Sequence, residues 1–559
     1  MEVVVGNGKV RLEQTDFLAA GGQGSVYVKA GTAFKIYTDP AKMIPLAKIS
    51  ELSALSDPKI IKPEQIIYNN KKRPIGYTMK ALDKTEALCR VFTKAFRQRN
   101  NIENDQIVNL VQQFQQTVKH IHSKGILVVD LNELNFLLDE KFKNIYCIDV
   151  DSYRTVSFPA TALMESIRDR HMKPGQFDEG TDWFAWAIVT FQMFIGIHPY
   201  KGRHATLCDL DARMKSNVSV LNADVSVPKV CYPFDVIPQA YRDWYRAVFE
   251  NGKRCPPPKD IAAAINLASA VAPHISGRVF VFDEIESVNE SIVGVWNFGG
   301  RRIMLTPKHI LYKGARINRD SVPVRVVASK KEFHPIAASI SNGQLSLTSL
   351  DSNVVLHRVS AEDFTVCDGR LVVRNGSLVT ELTMMEIGHN KFMPMASVVA
   401  NVLPRATKTF DGCMVQMLLD ACYVSIFPEK GGHHQIRIKE AEPYKRIIDA
   451  KYMNHVLMFI VESKGEYKRL IVRFDDNFRQ YDVREQDDVL PTLNFVVLDN
   501  GLAAHIEKDE RLVLFRNRRG DGKATVVEDA SIETDMMLYR DGTKAIVARG
   551  SKLYRLSMK

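Results

Sequence analysis

The spacing of apolar and polar positions changes character about halfway along the chain. In the first half, short β-prone runs give way to longer helical patterns. Residues 16–28 read as a hairpin, with Gly21, Gly22 and Gly24 between an apolar run and Val26-Tyr27-Val28. PLAKISELSAL (45–55) places Leu46, Ile49, Leu52 and Leu55 on one helical face. Residues 66–83 read as a hairpin running into a linker. From Gly125 to Asp151 the pattern predicts a loop and then a small hairpin, FLL and IYCI about the polar turn DEKFKN. TDWFAWAIVTFQMFIGIHPYKG predicts a buried helix starting at Thr181 or Asp182, and IAAAINLASAVA (261–272) a short helix closing this half. Beyond Val279 long helical patterns nearly vanish, and short β-prone runs alternate with Gly, Asn and Asp turns.

That second half carries a loose repeat of turn, apolar strand, polar turn and apolar strand. Its anchors are Gly300, Gly343, Gly376, Gly412, Asn454, Gly501 and Gly542, spaced 33 to 47 residues apart. This is near the roughly 40–50 residues of a four-stranded propeller blade. The expectation is a β-propeller of seven blades over 279–559; without a W-D signature, a pair of β-sandwiches is the competing architecture. No nucleophile–base pair or metal-ligand cluster stands out there. His433 and His434 are adjacent, and neighbours on a strand face opposite ways. The simplest role for this half is recognition of a protein substrate or regulator.

Candidate chemistry lies in the first half. The hairpin after Gly125 draws Asn135 and Asp149 together, while Asp130 stands apart. An Asn and an Asp supply two hard oxygens to a Mg²⁺ ion that also carries waters and phosphate oxygens. Asp130 is then free to orient a hydroxyl and take its proton. Upstream, the glycines let backbone N–H groups approach a phosphate closely. Lys35 follows nine residues after Val26.

These residues together resemble the protein kinases. Asp130 to Asn135 resembles the catalytic loop D-x-x-x-x-N, and Asp149 the first Asp of D-F-G. Against G-x-G-x-x-G-x-V, Ala19 replaces the first glycine, Gly21 and Gly24 match the second and third, and Val26 matches the Val. The resemblance implies that Lys35 clamps the ATP phosphates, that Asn135 and Asp149 hold Mg²⁺, and that Asp130 is the base. It implies Glu51 as partner of Lys35, a solvated surface Glu being the alternative. It puts Met79 at the back of the adenine pocket, with the backbone of Lys80 to Leu82, Ala81 at its middle, along the adenine edge. Asp182 resembles the Asp that bonds the catalytic-loop backbone. Gly196, His198-Pro199-Tyr200 and Gly202 resemble the ending of that helix. Arg254 resembles the Arg that pairs with a Glu of the activation segment, here Glu165. The landmarks run in order from about residue 10 to 265. They look most like divergent bacterial Ser/Thr-type kinases with GGxGxVY, a D-x-N-x-x-N loop and a D-x-D-S metal segment.

Several positions depart from the pattern. Val128-Val129 replace the His-Arg before the catalytic Asp, so control by a phosphorylated loop is in doubt. Asn132 replaces the Lys that meets the γ-phosphate. The triplet reads Asp149-Val150-Asp151, its extra carboxylate a further metal ligand or a turn residue.

The expected fold class is therefore multidomain: an α+β bilobal kinase-like domain over 1–268 (lobes about 1–82 and 83–268), then an all-β domain. Composition adds bounds. At 559 residues the chain is too long for one core. No apolar stretch of about eighteen residues predicts a membrane span, and MEVVVGNGKV lacks a signal-peptide pattern. The eight cysteines are scattered singly, as expected of free thiols in a reducing cytoplasm. The +10 net charge comes from dispersed basic residues without aromatic interleaving, which speaks against nucleic acid as a partner. Three functions follow as hypotheses. One is an ATP- and Mg²⁺-dependent Ser/Thr protein kinase, another a nucleotide-binding pseudokinase scaffold, the third a small-molecule kinase, against which the recognition half argues.

Overall fold

The computed structural model describes residues 1–21, 23–258, 279–298, 300–319, 323–388, 391–429, 432–444, 446–463, 465–520 and 522–558. Gly22 and the helix expected over 261–272 lie outside the described residues. The chain forms two compact units. The first is built from Met1–Arg97 and the described residues between Ile102 and Pro258. The second is built from those between Val279 and Glu462 and between Tyr467 and Met558.

The first unit begins with seven strands, β1 (Glu2–Val5), β2 (Gly8–Arg11), β3 (Phe17–Gly21), β4 (Gly24–Lys29), β5 (Thr32–Tyr37), β6 (Ile66–Tyr68) and β7 (Pro74–Lys80). They form one sheet in the order β2-β1-β6-β7-β5-β4-β3. One short helix, α1 (Leu46–Leu52), lies between β5 and β6 and buries Ile49 and Leu52 together with Lys48. Two glycines let this sheet form. A Cβ on Gly24 would stand 2.2 Å from the Ile36 carbonyl oxygen, and one on Gly76 2.0 Å from that of Lys35. Both flank β5, so the strand carrying Lys35 is gripped by neighbours that must lack a side chain at those points.

The remainder of the first unit is mainly helical. After β8 (Glu86–Ala87) and α2 (Lys94–Arg99) comes α3 (Asn104–His122), which packs its Ile107, Leu110, Phe114 and Val118 inward. The hairpin β9 (Phe136–Leu138) and β10 (Ile145–Cys147) pairs Phe136 with Cys147 and Leu138 with Ile145, as its pattern predicts. Asp139 closes its turn by accepting from the Lys143 N–H at 2.7 Å and the Asn144 N–H at 3.2 Å. The apolar helix α4 spans Glu179–Ile195, capped by Asp178, whose side chain accepts from the Thr181 N–H. It thus starts two residues before Thr181, because the polar capping turn precedes the apolar run. From Asp182 to Ile195 every side chain is buried. Trp186 sits among Phe114, Tyr241 and Trp244, an aromatic core shared by α3, α4 and the helix α6 (Gln239–Phe249) that follows α5 (Leu210–Lys215). Among the described residues no helix is long and apolar enough to cross a membrane.

The described residues of the second unit form seven four-stranded antiparallel sheets. Six are consecutive along the chain, starting at Gly294, Val324, Asp363, Thr407, Ile447 and Phe495. The seventh joins the two ends of the unit. Its outer strand Phe280–Ser287 pairs with the last strand Lys552–Met558, matching Phe280 to Met558. Apolar clusters are shared by successive sheets. One contains Val326 with Ile303, another Phe495 with Met458, and a third Phe280, Leu538 and Val496, which links the seventh sheet to the sixth. A further cluster links Ile546 and Leu553 to Val295 of the first. All seven repeat anchors sit at positive φ, from 40° at Asn454 to 80° at Gly300. They do not mark one hairpin throughout. Gly300, Gly412, Asn454, Gly501 and Gly542 turn between the first and second strands of their sheets, but Gly343 and Gly376 turn between the second and third. Both hairpins need the same turn chemistry, so the pattern alone does not separate them.

Candidate functional site

The residues singled out in the loop after α3 come together. Asn135 ends a short 3-10 turn, and its Nδ2 donates to the Asp130 carbonyl at 2.9 Å and to Asp130 Oδ2 at 3.2 Å. The Ile148 N–H donates to the Asn135 carbonyl at 2.9 Å, which holds the next residue, Asp149, beside Asn135 across the mouth of the hairpin. The other Asp130 oxygen accepts from the Met164 N–H at 2.7 Å. Asn132 is buried and its Oδ1 accepts from the Leu134 N–H at 2.9 Å, so this side chain caps the turn.

Two strained residues frame the loop. Val129, directly before Asp130, has φ 61°, and Asp149 has φ 56°. A β-branched residue in the left-handed region costs about 1–3 kcal/mol and persists only where its surroundings impose it. Here Asp182, fully buried, imposes it. Its Oδ2 and Oδ1 accept from the Val128 and Val129 N–H groups, each at 2.8 Å, and His122 Nε2 donates to it at 2.9 Å. The apolar helix α4 thus delivers one carboxylate whose task is to shape the backbone ahead of Asp130.

Lys35 does not meet Glu51. Its Nζ donates to Asp151 Oδ2 at 2.6 Å, and the Tyr37 hydroxyl donates to the same oxygen at 2.8 Å. Burial pushes the Asp151 carboxyl up, but the Lys35 charge and hydrogen bond bring it below its usual range. Burial, and then the Asp151 charge, raise Tyr37. Glu51 accepts instead from the Ser157 N–H at 3.2 Å. Helical phase explains the difference. Ile49 and Leu52 turn inward with Lys48, which leaves Glu51 on the rim towards the segment that follows Asp151.

On the sheet side, Gly21 pairs with Gly24 and Ala19 with Val26 at the tip of the β3–β4 hairpin, and Val26 pairs with Lys35 on β5. Met79 lies near the end of β7, half-buried, opposite Ala33. The Ala81 N–H is already engaged, donating to the Gly31 carbonyl at 3.2 Å. Arg254 pairs with Asp169, its Nη2 donating to Asp169 Oδ1 at 2.8 Å, and not with Glu165, which is exposed and meets Arg168. Burial raises the Asp169 carboxyl, and the Arg254 bond more than offsets it. Sequence reasoning placed the partner four residues early because Glu165 and Asp169 are both acidic residues of one segment, and burial alone distinguishes them. It missed Asp151 as the partner of Lys35, although the D-V-D spacing displays the residue, and it missed Lys48 and Gly76.

The donor set fits a magnesium ion of the kind expected. The amide nitrogen of Asn135 is committed to Asp130, which leaves its oxygen, a hard donor, on the other side. Among the described residues no three His, Cys, Asp or Glu side chains converge as an all-protein metal cage. An ion held there by one amide oxygen and one carboxylate would take its remaining ligands from waters and nucleotide oxygens.

The protein kinase domain family matches residues 39–231. The chain is 24% identical over 162 residues to a "Probable serine/threonine-protein kinase" of Dictyostelium discoideum, covering 28% of this chain and 12% of that protein. It is 29% identical over 105 residues to "Serine/threonine-protein kinase 1" of Heliothis zea nuclear polyhedrosis virus, covering 18% of this chain and 39% of the viral protein. Both alignments span well under half of the relatives' own length. The first unit carries a protein kinase domain.

Proposed function

We propose that the chain is an ATP- and Mg²⁺-dependent protein kinase that phosphorylates Ser or Thr hydroxyls and uses its second unit for recognition. The observation that carries this reading is the arrangement of the four needed groups along two side-chain bonds and one backbone bond. Lys35 meets Asp151, Asp151 is two residues from Asp149, Asp149 is held beside Asn135, and Asn135 bonds Asp130.

In this reading the β3–β4 tip with Gly21, Gly24 and Val26 covers the phosphates and Lys35 donates to them. Met79 lines the adenine side, and the Ala81 carbonyl lies along the adenine edge. Asn135 and Asp149 would hold Mg²⁺, which when bound neutralises phosphate charge and orients the transferred group. Asp130 orients the acceptor hydroxyl and takes its proton. Its Oδ1 is occupied by the Met164 N–H, so an incoming hydroxyl takes that place. Catalysis rests on positioning and charge neutralisation. The second unit closes into a seven-bladed propeller, supported by the pairing of its first strand with its last and by the apolar clusters shared between successive sheets. Such a propeller offers a broad face to a protein substrate or regulator. All eight cysteines are free, which suits a reducing cytoplasm.

Asn132 favours a second reading. It caps a turn where a phosphate-directed Lys is expected, as in a nucleotide-binding scaffold that does not transfer phosphate. Transfer from labelled ATP with Mg²⁺ separates the two. Label on the chain or a generic acceptor, sharply reduced in Asp130→Ala and Lys35→Ala, supports the kinase. Thermal stabilisation by Mg·ATP without transfer supports the scaffold.

A further inference from the structure

Asp151 stands where the kinase triplet has its glycine, on the 3-10 turn Val150–Ser152, and is 4% exposed. One of its oxygens takes both the Lys35 ammonium and the Tyr37 hydroxyl. The Lys35 ammonium also lies 5.6 Å from the centre of the Tyr37 ring and 5.7 Å from that of Tyr77. On the other side, α1 brings no carboxylate to this point. It turns Glu51 to the Ser157 N–H and buries Lys48, 1% exposed, whose Nζ donates to the Pro159 carbonyl at 3.3 Å. Burial pushes the Lys48 ammonium down, and the charges of Asp151 and Glu51 offset this only in part. A buried ammonium with one long carbonyl contact requires a nearby anion, and a buried carboxylate at a glycine position requires cations.

We infer that Asp151 is the positioning residue for Lys35, doing from the metal-side segment what a helix glutamate was expected to do. The inference rests on the reading of Lys35 as the phosphate clamp. Lysine is a point charge on a flexible four-carbon stem, so an ion pair that fixes its direction lowers the cost of meeting the phosphates. The anion that meets Lys35 thus comes from the segment after Asp149. The clamp then depends directly on the conformation of that segment.

The test is a double-mutant cycle in the full chain with Lys35→Ala, Asp151→Asn and the pair. It reads kcat and KM for Mg·ATP, the Mg²⁺ requirement, and thermal stabilisation by Mg·ATP. Asp151→Asn is expected to lower kcat/KM for ATP at least tenfold. In the Lys35→Ala background the same change costs less than twofold, because the group it acts through is gone. Asp151→Glu keeps the buried charge balanced and serves if Asp151→Asn does not fold. It is expected to lose less and to be equally non-additive with Lys35→Ala. Losses of equal size in both backgrounds overturn the proposal, as does unchanged kcat/KM in Asp151→Asn. A raised Mg²⁺ requirement that persists without Lys35 overturns it in favour of a metal-ligand role. If the unaltered chain neither transfers phosphate nor is stabilised by Mg·ATP, the kinase reading fails first and takes the proposal with it.

Discussion

Buried polar side chains serve opposite ends in the two units. In the first they converge. Lys35 comes from a strand, Asp130 and Asn135 from a loop, Asp151 from a turn and Asp182 from a core helix, and bonds pair Lys35 with Asp151 and Asn135 with Asp130 while Asp182 holds the backbone just before Asp130. In the second unit they are dispersed and local, and they close turns and tie one sheet to the next. The Thr365 hydroxyl donates to the Phe410 carbonyl and accepts from the Gly412 N–H, each at 2.8 Å. Asn494 Oδ1 accepts from the Leu538 N–H at 2.9 Å. Glu386 accepts from the Lys331 and Glu332 N–H groups and from the Ser329 hydroxyl. Asp529 accepts from the Val279 and Phe280 N–H groups at 2.7 and 3.0 Å. The lesson is that a buried polar group bonded to another ionisable side chain in a strained loop is a candidate for chemistry. One bonded to backbone N–H groups at a strand end is architecture.

The contrast can be broken most forcefully at Asp130. Asp130→Ala should reduce phosphate transfer by about 10²–10⁴-fold, the usual worth of a positioned base, while calorimetry of the intact chain shows little change in either unit. A variant that melts early instead would make Asp130 structural. Asp182→Ala should do the reverse. It strands the Val128 and Val129 N–H groups and His122 in the core, and should destabilise the first unit by about 3–5 kcal/mol, read from its unfolding transition.

A pH experiment sharpens the same contrast in the second unit. Burial pushes the Asp529 carboxyl up, but the Ser531, Val279 and Phe280 donors hold it net down at about 2. Against an unfolded value of about 4, a depressed carboxyl stabilises above pH 4 and loses that contribution as pH falls from 4 towards 2. The effect is about 2.5 kcal/mol at most for this group. Asp529→Asn should be less stable at neutral pH and should show a shallower acid loss than the unaltered chain in thermal melts between pH 5 and 2.5. Equal slopes would show that the strand-end bonds contribute nothing.

The smallest effect belongs to the repeat anchors. A Cβ on Gly343 meets nothing within 4 Å, so Gly343→Ala carries only the strain of φ 74°, about 1 kcal/mol. Gly412→Ala should cost more, since its Cβ would lie 2.3 Å from the Tyr452 carbonyl oxygen. Chemical denaturation of the two variants side by side checks the order.

Local features were legible because they rest on short-range rules. The β9–β10 hairpin follows from two apolar runs about a polar turn, and the buried helix α4 from an uninterrupted apolar run. The break between a helical and a strand-built half follows from the change of period. Asn135 beside Asp149 was legible for the same reason, since one hairpin separates them. The partners of Lys35 and Arg254 were not. Glu165 and Asp169 lie four positions apart on one segment, and Glu51 and Asp151 on two segments far apart in the chain, and sequence spacing carries no information on which acidic residue is buried beside the cation.

What the residues settled alone is therefore the order of elements, the seven Gly- or Asn-anchored turns and the set of candidate polar groups. Only the tertiary structure decided how those groups pair, because pairing across more than a hundred residues, as between Lys35 and Asp151, depends on which side chains burial leaves in need of an opposite charge. It also decided how the second unit ends. The strand Phe280–Ser287 finds its partner at Lys552–Met558, a match that no local pattern encodes and that satisfies the backbone groups an open edge would leave exposed.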